Sequence, residues 1–322
     1  MKDVMKKWPF YRKAIKLIIV LLERFGPYYL SVNTRIKVFN SDALDKYMCY
    51  SEILDDFSIL VQGPIVVKDN FTLETLKLYK YIYPQINIVL STWREQPSEV
   101  VEQIKKLGVI VIENEKPEFP GLSNVNFQLT STSNGIDYLV KNTNTKYLLK
   151  TRTDQRCNKS IDFLSYMRFL QQRFPVNSNL NERLIICSVN SFKRRLYGVT
   201  DMFMFGHIQD MKNYWCIPLD EKRKVEGVLP SELYMKSEVA EGYLINRFFD
   251  YLNYRPLWTE EDSNQFLSSY FNIIDKEQID LYWFKYDRYF ESIMDFDLKR
   301  YRDWERMEFS NLHLINKEYN NN

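Results

Sequence analysis

The chain has 322 residues, 45% of them hydrophobic, which suits one large globular unit or two closely packed subdomains and excludes disorder as a whole. Lys and Arg total 44 against 42 Asp and Glu, a formal net charge of +2, so an obligate nucleic-acid or polyanion binder is not expected. The two histidines, His207 and His313, are too far apart for HExxH chemistry and neither stands beside a GxSxG elbow.

The first 30 residues interleave Lys2, Lys6, Lys7, Arg12, Lys13 and Lys16 with Trp8, Phe10, Tyr11 and the apolar run 17–22. That is the pattern of a basic amphipathic helix, either a membrane-surface anchor or an ordinary helix covering a core. Residues 1–52 are set apart as a basic N-terminal helical segment. No run reaches the roughly 18 apolar residues of a membrane span, and 17–22 is too short for a signal-peptide core. The four cysteines, Cys49, Cys157, Cys187 and Cys216, show no CxxC spacing and fit a reducing cytosol.

From residue 57 the pattern becomes regular. FSILVQ at 57–62, stopped by Gly63-Pro64, predicts a buried strand. Phe71, Leu73, Leu76, Leu78, Tyr79 and Ile82 fall at helical spacing before Pro84, predicting a helix over 70–81. A strand over 86–93, a helix over 97–107 closed by Gly108 and a strand over 109–113 follow. Residues 124–140 read as a helix with an irregular middle, and YLLKTRTD at 147–154 as a strand. Four alternations of strand and helix predict an α/β fold with a mainly parallel central sheet flanked by helices. Beyond residue 154 a helix near 161–174, a strand at 184–189, the apolar DMFMFG at 201–206 and a helix over 237–251 precede an aromatic-rich end, read as helical and mixed in charge. The domain reading is an α/β half over 53–215 and a mostly helical half over 216–322.

Ligands of open parallel sheets sit beyond the carboxyl ends of the strands. Those ends carry Gln62-Gly63, Ser91-Thr92-Trp93, Glu113-Asn114 and the run Lys150-Thr-Arg152-Thr-Asp154-Gln-Arg156. A strand period of two places Lys150, Arg152 and Asp154 on one face. Two cations flanking a carboxylate suit a diphosphate, which takes Lys and Arg donors, or a divalent cation bridging carboxylate and phosphate oxygens; the alternative is a surface ion-pair cluster. Neither a GxG pair nor a GxxxxGK occurs, so Rossmann and Walker phosphate loops are not expected. Asn124, Asn126 and Gln128 form a carboxamide cluster suited to reading a base or sugar edge, or to capping a helix. Trp215, Trp258, Trp283 and Tyr286 offer either flat faces for a glycan or core packing.

ILVQGPI, IVLSTW, the Asn124-Val-Asn126-Phe-Gln128 stretch, YLLKTRTDQR and DMFMFG together resemble the WavE lipopolysaccharide-synthesis family over roughly residues 57–250. The resemblance implies a GT-A-like glycosyltransferase of bacterial surface polysaccharide, working in the bacterial cytoplasm or peripherally at the inner face of the membrane. It implies a nucleotide-sugar donor bound by Gln62, Gly63, Ser91, Thr92, Asn126, Gln128, Lys150, Arg152 and Asp154, and a glycan or lipid-linked glycan acceptor, with an anionic membrane surface as a further partner. In GT-A enzymes a strand-end DxD holds the metal. Here Arg152 stands in the place of the first Asp, which leaves Asp154 as the metal candidate and makes dependence on Mn or Mg an open question, since Lys150, Arg152 and Arg156 offer to neutralise a diphosphate themselves.

An inverting transfer needs a base for the acceptor hydroxyl. Glu241 takes the place of the carboxylate in the family's Glu-x-Tyr-Leu stretch, on a helix expected to be capped by Ser237 and to carry Glu238 on the same face; both glutamates alternatively serve the helix dipole. Asp201 is the second carboxylate, as base or as an orienter of acceptor or donor sugar hydroxyls. Two other functions remain: a nucleotidyl- or phosphotransferase, and a non-catalytic carbohydrate-binding or scaffold protein. Convergence of Arg152, Asp154, Asp201 and Glu241 separates catalysis from scaffold.

Overall fold

A computed structural model describes residues 14, 16–24, 37, 55–158, 162–176, 179–191, 195–222 and 231–285. The chain divides into two compact units, 1–36 and 37–322. In the first, residues 16–24 are helical, and Leu17, Ile18, Val20, Leu21 and Leu22 are all exposed. The rest of the basic N-terminal segment, the Asn-rich end and Tyr286 lie outside the described residues.

The second unit is built on a seven-stranded sheet, in the order β3-β2-β1-β4-β7-β6-β8. Strands β1 (Phe57–Gln62), β2 (Asn87–Trp93), β3 (Ile110–Asn114) and β4 (Tyr147–Arg152) are parallel to their neighbours. Each is a short apolar run bounded by a turn, as the pattern predicts. The helices between them are α1 (Phe71–Ile82), α2 (Ser98–Lys106) and α3 (Val125–Asn142). α3 is continuous; the irregularity expected inside it lies just before it, where Ser123 and Asn124 take positive φ. Gly135 lets α3 approach β1, because a Cβ there would stand 2.4 Å from Leu60 Cδ1.

The remaining elements are β5 (Gln155–Cys157), α4 (Phe163–Arg173), β6 (Leu184–Cys187), β7 (Met204–His207), α5 (Ile208–Trp215), α6 (Glu241–Leu252), α7 (Glu260–Tyr270), β8 (Phe271–Ile274) and β9 (Leu281–Trp283). β7 runs antiparallel to both β4 and β6, while β8 is parallel to β6. The C-terminal part is therefore not purely helical: β8 joins the main sheet, and β9 pairs antiparallel with β5 in a separate two-stranded sheet. One face of the main sheet packs Leu60, Val89, Leu148, Met204, Ile186 and Ile273 against α3, α5, α6 and α7 in one buried cluster.

Two helix starts differ from expectation. Pro97 caps α2 rather than occupying its first turn. α6 begins at Glu241, not near Ser237. Ser237 ends a 3-10 segment (Ser231–Ser237), and its hydroxyl donates to the Tyr234 carbonyl. Glu238 lies outside the helix at φ 55 and pairs with Lys222, so it does not share a helix face with Glu241.

Candidate active site at the carboxyl edge of the sheet

Strand direction decides what meets at one edge. β1, β2 and β4 end there, so Gln62, Thr92 and Arg152 lie at it. Because β7 is antiparallel, its beginning lies at the same edge, which brings the preceding residue Asp201 beside Lys150, whose register partner is Met204. β6 runs with β4 and delivers Asn190 to that edge, where its carboxamide donates to Glu241 at the start of α6.

Lys150 lies one step inside the edge. Its cross-strand neighbours are Leu60 and Met204, an apolar row, and its side chain is fully buried. The ammonium donates to Gln128 Oε1 at 3.2 Å and to the backbone carbonyl of Asp201, and sits 4.1 Å from the centre of the Trp215 ring. Burial lowers its pKa to about 7, opposed by the Asp201 carboxylate and reinforced by Arg152. Gln128 also donates to Asp201 Oδ2. Lys150 is therefore an anchor for the Asp201 loop rather than an open phosphate ligand.

The strand ends at Arg152, and Asp154 stands in the turn that follows. Arg152 forks onto it, Nε to Oδ1 at 2.8 Å and one terminal nitrogen to Oδ2 at 3.1 Å. The Trp283 indole donates to Oδ2 at 3.0 Å, and Phe284 N–H to the Asp154 carbonyl at 2.9 Å. Burial alone would raise the Asp154 pKa; the hydrogen bonds and charge of Arg152 and the indole outweigh it and hold the carboxyl below its usual range. The turn is fixed to the first strand by Thr153 N–H on the Gln62 carbonyl and by the Thr153 hydroxyl on the Pro64 carbonyl. Gly63 makes that approach feasible, with φ +117 and room for a Cβ only 3.1 Å from Thr153 Oγ1.

Glu241 is 8% exposed. Burial raises its pKa to about 7; the Asp201 charge adds to this, while Arg195 and the Asn190 hydrogen bond oppose it. The phenol of Tyr214, also buried, feels both carboxylates. A side chain held near neutrality by desolvation and a like charge has the profile of a general base. Its position is set tightly: Ala240 before it has φ 44 and ψ -107, and a Cβ on Gly242 after it would meet the Met235 carbonyl oxygen at 2.6 Å.

Other expected ligands have structural duties. Asn126 gives its carboxamide to backbone, donating to the carbonyls of Phe119 and Asp220 and accepting from Asp220 N–H. Arg156 is buried, donates to Thr75 Oγ1 and the Phe71 carbonyl and stacks on the Phe71 ring, so it secures α1 and does not reach a diphosphate. Trp215 is buried beneath Lys150 and presents no face to a glycan; Trp258 packs against Tyr197 and Phe249. Gln62 accepts from Ser131, and Ser91 accepts from Asn114. The Thr92 hydroxyl is buried without a partner among the described residues. Sequence reasoning missed Asn190, Arg195 and Tyr214. An asparagine just past a strand, here with φ 63, was a usable signal for the first.

The side chains around Asp154 do not fit a divalent cation. Both of its oxygens accept from the Arg152 guanidinium, and Oδ2 accepts from the Trp283 indole as well, whereas a cation prefers clustered oxygens. Among the described residues no group of three or more His, Cys, Asp and Glu could hold a metal ion.

No curated protein matches this sequence. Similar solved structures include mouse xyloside xylosyltransferase 1 (9% identity, 78% of this chain and 94% of that one, TM-score 0.34). Another is 4-diphosphocytidyl-2C-methyl-D-erythritol synthase of Anaerococcus prevotii (9% identity, 69% and 88%, TM-score 0.34). A third is a mannose-1-phosphate geranyltransferase of Thermus thermophilus (12% identity, TM-score 0.29), with 41% of each chain covered, so that under half of that enzyme's length is spanned. At these scores they add nothing to the α/β architecture seen directly. The family model for WavE lipopolysaccharide synthesis matches residues 57–319, across the whole sheet and every side chain of the carboxyl edge, and the chain belongs to that family.

Proposed function

We propose that this protein is an inverting, GT-A-like glycosyltransferase that moves a sugar from a nucleotide-sugar donor to a bacterial polysaccharide or glycolipid acceptor, such as capsule, O-antigen or lipopolysaccharide core. The observation that carries the reading is the meeting of Arg152 and Asp154 with the Asp201–Glu241 carboxylate pair at one sheet edge. Scatter would have favoured a scaffold. Gln62, the register partner of Arg152, and Ser91 and Thr92 on the strand beyond it are the donor-side groups in this reading.

In this reading Glu241 removes the proton from an acceptor hydroxyl as its oxygen forms a bond to the anomeric carbon. The bond from that carbon to the diphosphate oxygen breaks, and the nucleoside diphosphate leaves with the electron pair. Arg152 offsets the charge that grows on the leaving oxygens, turning from Asp154 or sharing its donors. Asp201 keeps Glu241 basic near neutral pH. No step is routed through a metal ion.

Among the described residues no helix is long and apolar enough to cross a membrane. The exposed apolar residues of 16–24 beside the N-terminal lysines support peripheral attachment to an anionic inner-membrane face, where lipid-linked acceptors would be presented.

The test pairs donor binding with turnover. Thermal shift against a panel of nucleotide sugars, with and without manganese, identifies the donor. Glu241→Gln should then cut transfer by about 10² to 10⁴-fold with donor affinity unchanged. An equal loss of donor affinity, or a product of retained anomeric configuration, overturns the assignment.

A further inference from the structure

Asp201 is 4% exposed, and its two carboxylate oxygens are treated differently. Oδ2 accepts from Gln128, and the residue's backbone carbonyl accepts from Lys150. Oδ1 is buried with no partner among the described residues. A buried carboxylate oxygen without a donor is costly. With Oδ2 and the main chain both held, the group cannot rotate to find one. Its electrostatic neighbours include the Lys150 ammonium and Glu241. Lys150 in turn feels Arg152 and Asp154. Asp201 is thus linked through Lys150 to the groups assigned to the diphosphate and directly to the group assigned to the acceptor proton, and in a single displacement the transferred sugar lies between those two.

We infer that Oδ1 of Asp201 accepts a hydrogen bond from a hydroxyl of the donor's sugar. Asp201 is then the residue that reads the sugar, and Gln128 and Lys150 are positioning residues that fix its direction. A carboxylate so held favours a sugar bearing a hydroxyl at the facing carbon over its deoxy counterpart, which would leave the oxygen bare. The inference rests on the reading of this edge as a nucleotide-sugar site.

The experiment is titration calorimetry of the full chain with UDP-, GDP- and dTDP-sugars and with the matching free diphosphates. The quantity read is the ratio of sugar-bearing to sugar-free affinity for the donor that wild type prefers. Asp201→Asn should reduce that ratio by about 10- to 100-fold, the scale of one hydrogen bond to a charged acceptor, and leave the free diphosphate unaffected. Gln128→Leu, which frees Oδ2 but keeps the charge, should reduce the same ratio by less; a merely structural role would not move it. If Asp201→Asn does not fold, Gln128→Leu decides by this ratio. A ratio unchanged in the variants, or a loss shared equally by the free diphosphate, overturns the inference alone. A wild-type protein that binds no nucleotide and no nucleotide sugar overturns the reading of the site, and the inference with it.

Discussion

Replacing Glu241 by Gln should make the protein more stable, and only above acid pH. The carboxyl is 8% exposed, and its pKa is raised from an ordinary 4.5 to about 7 by burial, then by Asp201. The folded state therefore holds a proton on this group between those values while the unfolded chain has released it, so stability falls as pH climbs through that window. At about 1.4 kcal/mol per pH unit the full cost above pH 7 is about 3 kcal/mol. Gln keeps the oxygen that accepts from Asn190 and removes the charge. Urea unfolding of wild type and Glu241→Gln near pH 4, 6 and 8 should give matching stabilities at the lowest value and a gap opening to about 3 kcal/mol at the highest. A variant equal to or weaker than wild type at pH 8 would refute the reasoning, since the carboxylate would then carry no ionisation penalty. Paired with the loss of turnover, the gain marks a group kept for chemistry at the expense of the fold.

Arg152→Ala should weaken binding of the donor's nucleoside diphosphate about 10- to 100-fold by calorimetry. It should also destabilise the fold by about 1–3 kcal/mol, because the buried Asp154 carboxylate loses the guanidinium that offsets its burial; unaltered affinity would remove Arg152 from the donor side. Gly242→Ala should destabilise by about 1–3 kcal/mol and lower turnover, as the new methyl drives Met235 backbone from the start of α6. Melting and rate measured together check it, and a wild-type rate would mean that Glu241 needs no such exact placing. Removing residues 1–30 should reduce co-sedimentation with anionic liposomes; if truncated and full-length proteins sediment alike, residues 16–24 are no anchor.

The first four strands were legible because each is a local signal, an apolar run of strand length closed by a breaker such as Gly63-Pro64. What stayed hidden depends on partners distant in the chain. The period of two puts Lys150 and Arg152 on one face correctly, but only the register against Leu60 and Met204 shows that Lys150 is sunk in an apolar row. Asn126 looked available because its partner, the backbone of Asp220, is 94 residues away. The start of α6 was misplaced because Ser237 is of a type that caps helices, yet it closes a 3-10 segment, and positive φ at Glu238 and Ala240 delays the helix to Glu241. Asp201 and Glu241 were named separately; that they meet depends on β7 running backwards, which no local pattern declares.

The pairing of β5 with β9 has a bearing on how the protein is made. The four parallel strands are complete by residue 152 and need nothing beyond themselves and their crossover helices to begin pairing. Asp154, by contrast, is clamped by Trp283, 129 residues later. On the ribosome the four parallel strands can begin to pair well before the Asp154 turn is held, which happens only once the chain has emerged past residue 284. A product that stops short of that point can hold the four parallel strands with the Asp154 turn unclamped, a difference that circular dichroism would not report.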